Sequence, residues 1–310
     1  MSQYLPEAFD GLAEDTAGAI EDVGETAQGF YRATADKAVQ AAGNVTGADG
    51  QVAGRVSAIG TAADKDASDL PVPSGTAAPS GNTRRVNISD LDLEAESPEI
   101  AEFLRFAVRT YGDRFVLHDW TDDVRLNVKR LSLASPSVHE RVAEYLDRIG
   151  GKAGLYFGEG GVPELDDKGD LAGLRPRGWP EGSTWDGVTG AASPEAGVMA
   201  VGTAGLSQSS TVALHELGHM VDRIYGSAGR ASSSPSWDTV YRYVLSAESE
   251  PGMIRPYHLQ PGGVGQVEMF AEAFALYHTP KPGKWLASIA GSQAGGEAIK
   301  RYFSTLLGLS

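Results

Sequence analysis

The string His215-Glu216-Leu217-Gly218-His219 constrains this chain more than any other feature. Two imidazoles four residues apart on a helix project from one face, so together they can hold one metal ion. The glutamate beside the first histidine is then placed to take a proton from a metal-activated water. The spacing works only on a helix, and the flanking residues supply one. Val212, Leu214, Leu217, Val221 and Ile224 give the apolar surface, Ser209 or Ser210 is the expected cap, and the helix is expected from about Ser210 to Tyr225. Asp222, at i+7 from His215, falls on the histidine face and is expected to support the site from behind.

Composition narrows the choice of ion. The 310 residues include no cysteine, so thiolate ligands, disulfides and a cysteine nucleophile are excluded, and any metal must be held by His, Asp or Glu. Zinc is the ion expected for such a pair of histidines. The formal charge of -15 disfavours nucleic acid and anionic membranes as partners. No stretch is apolar enough to span a bilayer, and the opening MSQYLPEAFD has neither the basic start nor the apolar run of a secretory leader. Synthesis in the cytoplasm, with leaderless export or packaging in a particle, is the expectation.

Three segments are expected. Residues 1–44 form a helical arm, rich in Ala and acidic residues, with a thin apolar stripe interrupted by glycines. The arm packs on its own domain or a second copy, or it serves as a docking or delivery segment. Residues 45–85 form a flexible linker, in which PVPSGTAAPSGNT has too little apolar surface to repay ordering. Residues 86–310 form a mixed α+β domain with a small sheet. Within it, Ser97–Gly112 and Ser135–Gly151 read as capped helices with Pro at the first turn and Gly at the end. Asp113–Trp120 and Asp123–Leu131 show the alternation of strands, Lys152–Gly160 and Gly197–Gly202 read as short apolar strands, and Val162–Pro194 reads as loop. The five tryptophans, Trp120, Trp179, Trp185, Trp237 and Trp285, are expected to anchor core or loops. His118, His139 and His278 are isolated and are expected to pack rather than ligate.

A catalytic zinc needs a third protein ligand and one open position. The chain returns carboxylates at VEMFAEAFALYH (Val267–His278), a helical pattern with Glu268 and Glu272 one turn apart. One of the two can bind the metal while the other accepts a hydrogen bond from the far nitrogen of a ligand histidine. Carboxylates among Met269, Phe270, Phe274 and Leu276 are costly to bury without such partners.

HELGHMVD followed by EMFAEAFALY resembles the catalytic domain of anthrax lethal factor and its relatives, which include the bacterial Pro-Pro endopeptidases. RGWPEGSTWDGVTG and then GVMAVG resemble the approach to the active-site helix in that family, and the likeness runs from about Gly154 to Tyr277. It implies a zincin-like zinc metallopeptidase of the gluzincin type. His215, His219 and Glu268 become the zinc ligands, Glu216 the general base, and Glu272 the partner of a ligand histidine. Relatives commonly carry an oxyanion-stabilising tyrosine seven residues before the ligand glutamate. Here that position is Pro261, and Tyr257, eleven residues before Glu268, or His258 is expected to serve instead.

The function read from these residues is zinc-dependent hydrolysis of peptide bonds in a protein or peptide substrate, with an exported toxin or effector as one setting. The second reading is a structural or interaction protein of a virion or injection particle that keeps a zincin fold. In either case residues 1–70 are expected to meet a delivery apparatus or particle. The strand in GVMAVG is expected to be an edge that pairs with an extended peptide.

Overall fold

A computed structural model of the chain describes residues 85–165, 185, 188–203, 211–226, 229–246, 258–260 and 262–309. The expected arm and nearly all of the expected linker lie outside the described residues, as do Trp179, Ser209, Ser210, Tyr257 and Pro261.

The first helix, α1 (Pro98–Tyr111), begins where its sequence says it should. Ser97 accepts a hydrogen bond from the Ile100 N–H, Pro98 occupies the first turn, and Gly112 closes the helix at φ 55°. Strand β1 (Phe115–Leu117) follows and is buried along its whole length. The next segment corrects the sequence expectation. Asp122–Leu131 is a helix, α2, not a strand. Val124, Val128 and Leu131 fall at i, i+4 and i+7 and are buried, with Asn127 beside them. Leu126, which completes the apparent alternation, is 39% exposed. Short apolar runs satisfy both periods, and here Asp122 and Asp123 in the first turn with Lys129 and Arg130 in the last complement a helix dipole.

Helix α3 (Pro136–Ile149) ends at Gly150 with φ 72°, and strand β2 (Gly154–Phe157) comes next. A short helix, α4 (Val162–Leu165), and strand β3 (Gly190–Ser193) lie in the stretch expected to be loop, and β4 (Val198–Val201) follows. The strand order is β1-β2-β4-β3. The first three run parallel, with Phe115 opposite Leu155 and Leu155 opposite Met199. β3 is antiparallel to β4, with Gly190 opposite Val201. GVMAVG therefore supplies an inner strand. The edge beside it is Gly190-Ala191-Ala192-Ser193, and Val86 bridges the opposite edge at Leu117.

The fold is α+β, mostly helical, with one small mixed sheet. Alternate strand residues face two apolar layers, as the pleat requires. Phe115, Leu117, Leu155, Phe157, Met199 and Val201 join the main core under the helices, while Val116, Tyr156 and Ala200 meet Val162, Leu165 and Val188 on the other face. Helix α5 (Val212–Tyr225) crosses the main-core side, packed on the β3 end of the sheet. After it come α6 (Pro235–Ser246), α7 (Val264–Tyr277), α8 (Pro282–Ala290) and α9 (Gln293–Leu307), and α7 covers the other side of α5. Trp237 of α6 is fully buried and stands edge-on to Phe270 at 5.2 Å, Phe270 lies 5.1 Å from Phe303, and the Trp237 indole N–H donates to the Gln266 carbonyl at 3.2 Å. This aromatic wall holds α7 from behind.

Candidate metal centre

Helix α5 carries His215, Glu216 and His219, and α7 carries Glu268 and Glu272. The two helices approach closely because Gly218 has no side chain. A Cβ there would stand 2.8 Å from the Ala271 Cα and 2.9 Å from its carbonyl oxygen. The close crossing brings the carboxylates of one helix to the imidazoles of the other.

The side chains converge on one point. The Nε2 atoms of His215 and His219 stand 3.3 and 3.4 Å from the same oxygen, Oε2 of Glu268. One ligand atom from each of the three residues lies within 4.8 Å of the others. The two imidazole rings are nearly perpendicular, at 84°, with centroids 4.9 Å apart. Behind them, Nδ1 of His215 is 3.0 Å from Oε2 of Glu272. The Glu268 side chain is 18% exposed and that of Glu272 only 5%, so Glu268 faces the opening and Glu272 lies at the back.

Electrostatics reflects this packing. Burial alone would depress His215, but Glu268 and Glu272 hold its pKa well above the ordinary histidine value. Burial pushes Glu268 upward, yet its two histidine partners outweigh it and keep the carboxylate far below its usual range. Burial raises Glu216, against the opposing pull of His215 and His219.

The donor set suits zinc. Two imidazole nitrogens and a carboxylate oxygen, without thiolates, match the ligand types of catalytic zinc sites. Donors held 2.0–2.1 Å from a tetrahedral ion stand roughly 3.3–3.4 Å from one another. The Nε2–Oε2 separations have that length, whereas a direct charge-assisted N–H···O bond is about 2.7–2.9 Å. Glu272, fixing the far nitrogen of His215, adds the outer support that metal-binding histidines use.

The sequence profile of the family described as anthrax toxin lethal factor, N- and C-terminal domain, matches residues 129–288. The chain belongs to this family. The match begins in α2, ends in α8 and encloses the whole cluster, a wider span than the motifs alone suggest. No curated protein matches the chain.

In this member of the lethal factor family, the Asp222 carboxylate feels the charge of His219, but its hydrogen bonds go to the turn beyond the helix. Its two oxygens accept from the Ser232 N–H and, at 2.8 Å, from the Ser232 hydroxyl, with Arg230 at 3.6 Å. Helical phase places it on the histidine face, about two turns of rise from His215 and one from His219, where its oxygens reach the turn at Ala231–Ser233. Tyr257 lies outside the described residues. His258 is buried, and burial lowers its pKa to about 4 against the opposing pull of Glu272. Its carbonyl accepts from the Tyr241 hydroxyl at 2.6 Å, which ties the approach to α7 onto α6. His139 is buried and His278 half-buried, and neither is in the cluster. His139 bonds the Tyr111 hydroxyl at 2.7 Å, and His278 stacks edge-on with Phe274 at 4.6 Å.

Proposed function

We propose that the chain is a zinc-dependent endopeptidase in which His215, His219 and Glu268 hold the ion and Glu216 is the general base. The observation that carries this reading is the pair of near-equal separations, 3.3 and 3.4 Å, from two histidine nitrogens to one Glu268 oxygen. Membership of the lethal factor family supports it and points to a toxin-like protease with a zincin-like fold.

When bound, zinc supplies a Lewis acid that polarises the peptide carbonyl and acidifies water. Glu216 accepts a proton from the attacking water as its oxygen bonds to the carbonyl carbon, and passes that proton to the amine nitrogen as the C–N bond breaks. Its burial, and the upward push this gives its pKa, suit a base that must also act as an acid. Glu272 orients the His215 ring. His258 or Tyr257 is the proposed hydrogen-bond donor to the oxyanion, and a buried neutral imidazole is chemically competent for that role. The outer edge of β3 is the proposed seat for an extended peptide, in place of the inner strand expected from sequence.

The test is cleavage of a peptide library by the purified full-length chain and by Glu216→Ala. The variant should keep its zinc and lose on the order of a hundredfold or more in rate. Cleavage by Glu216→Ala at the parental rate would overturn the mechanism.

A further inference from the structure

Strand β3 runs against α5 at a point where neither chain has room for another atom. Gly190 opens the strand, opposite Val201 of β4. A Cβ built on Gly190 would overlap Cγ1 of Val212 and stand 2.9 Å from Oε1 and 3.0 Å from Cγ of Glu216. The backbone here is not left-handed, so an alanine would be tolerated conformationally. The constraint is space alone.

Both walls are held. The strand is held in its ladder by β4, and the Gly202 N–H donates to the Thr189 carbonyl at 2.6 Å, just before Gly190. Any outward shift of β4 is blocked by β2, its other neighbour. On the far side of α5, Gly218 rests on the Ala271 backbone, and α7 is backed by the aromatic wall of Trp237, Phe270 and Phe303. The metal helix is thus wedged between two glycines, one facing the sheet and one facing α7. The three atoms nearest to an added Cβ all belong to side chains, so the side chains give way first. The contact reaches Cγ of Glu216 as well as its tip, so the side chain must shift from its place.

We infer that Gly190 is a positioning residue for Glu216: the absent side chain on the edge strand leaves the space in which the Glu216 carboxylate is aimed. This rests on the reading of Glu216 as the general base. The three nearest atoms belong to Val212 and Glu216 and none to the histidines or Glu268, so metal binding is expected to survive the substitution. A carboxylate misplaced by about 1 Å costs on the order of a hundredfold in rate when the reacting groups must be aligned.

The experiment uses the full-length chain with zinc bound and three variants: Gly190→Ala, Val212→Ala, and the two combined. The combined variant removes the tightest overlap, so that the added methyl meets Glu216 alone, and it remains testable if Gly190→Ala folds poorly. Zinc content, kcat and KM on a cleaved peptide, and a crystal structure of each are measured. The expected result for the combined variant is one zinc per chain, KM within about twofold of Val212→Ala, kcat lower by about a hundredfold, and a turned Glu216 side chain. Recovery of kcat to the Val212→Ala value, or a Glu216 carboxylate left in place, would overturn the inference. Undiminished cleavage by Glu216→Ala would instead sink the general-base reading, while the crystal structures still decide whether Gly190 sets the carboxylate's position.

Discussion

Glu272 touches no metal ion in the proposed site, yet the orientation of His215 depends on it. The 3.0 Å contact from Nδ1 fixes which nitrogen faces Glu268. Glu272→Gln should therefore weaken zinc binding by roughly 10–100-fold in a chelator competition. Unchanged affinity would mean that His215 is oriented by packing alone. His139 makes a second residue-scale prediction, far from the metal. Burial lowers its pKa to about 4 from 6.5. Below pH 6.5 the unfolded chain takes up a proton that the folded chain refuses until about pH 4. Stability from this group is therefore complete above about pH 6.5 and is lost as pH falls toward 4, by about 3 kcal/mol. His278, lowered to about 3 chiefly by burial, acts in the same direction. Urea unfolding at about pH 7 and about pH 4.5 should show the loss, and in His139→Leu the difference should shrink. An equal difference in both proteins would contradict the assignment.

At the scale of elements, the approach of α5 to α7 depends on Gly218. In Gly218→Ala the new methyl meets backbone atoms of Ala271 at 2.8 and 2.9 Å, so the helices themselves must shift. The variant should lose about 1–3 kcal/mol in denaturant unfolding. Parental stability would show that the helices slide apart freely. Elements whose sequence carries both a period and punctuation are legible. The helices at Pro98–Tyr111 and Pro136–Ile149 have Ser, Pro and Gly at their ends, and α7 is readable from its apolar run around Glu268 and Glu272. Asp122–Leu131 deceives because so short a run satisfies both periods, and only burial separates Leu126 from Val124 and Val128. The edge strand Gly-Ala-Ala-Ser is invisible in sequence, since it contains no strand-forming residue and pairs only because β4 offers a partner. The space at Gly190 is hidden for the same reason: contacts between distant segments leave no local pattern. Asp222 shows the converse, a residue whose helical phase is plain and whose partner, Ser232, lies ten positions on in a turn.

Across the whole molecule, the sheet and the aromatic wall hold two helices so that three donors from two separate parts of the chain meet. Trp237 is central to the wall. Trp237→Ala should cost about 3–5 kcal/mol. It should also weaken zinc binding, because α7 then loses its backing; a variant that is destabilised yet binds zinc with parental affinity would uncouple the wall from the site. A bound ion should in turn stabilise the fold, by about 2.7 kcal/mol at a free concentration a hundred times Kd, so chelation should lower Tm. The central claim is that His215, His219 and Glu268 hold one zinc ion. Metal content of the full-length chain, measured beside Glu216→Gln and Glu268→Ala after mild purification, tests it most directly. The account predicts one zinc per chain in the parent and in Glu216→Gln, and little in Glu268→Ala. A zinc-free parent that takes up no zinc when it is supplied, or full zinc in Glu268→Ala, would contradict it.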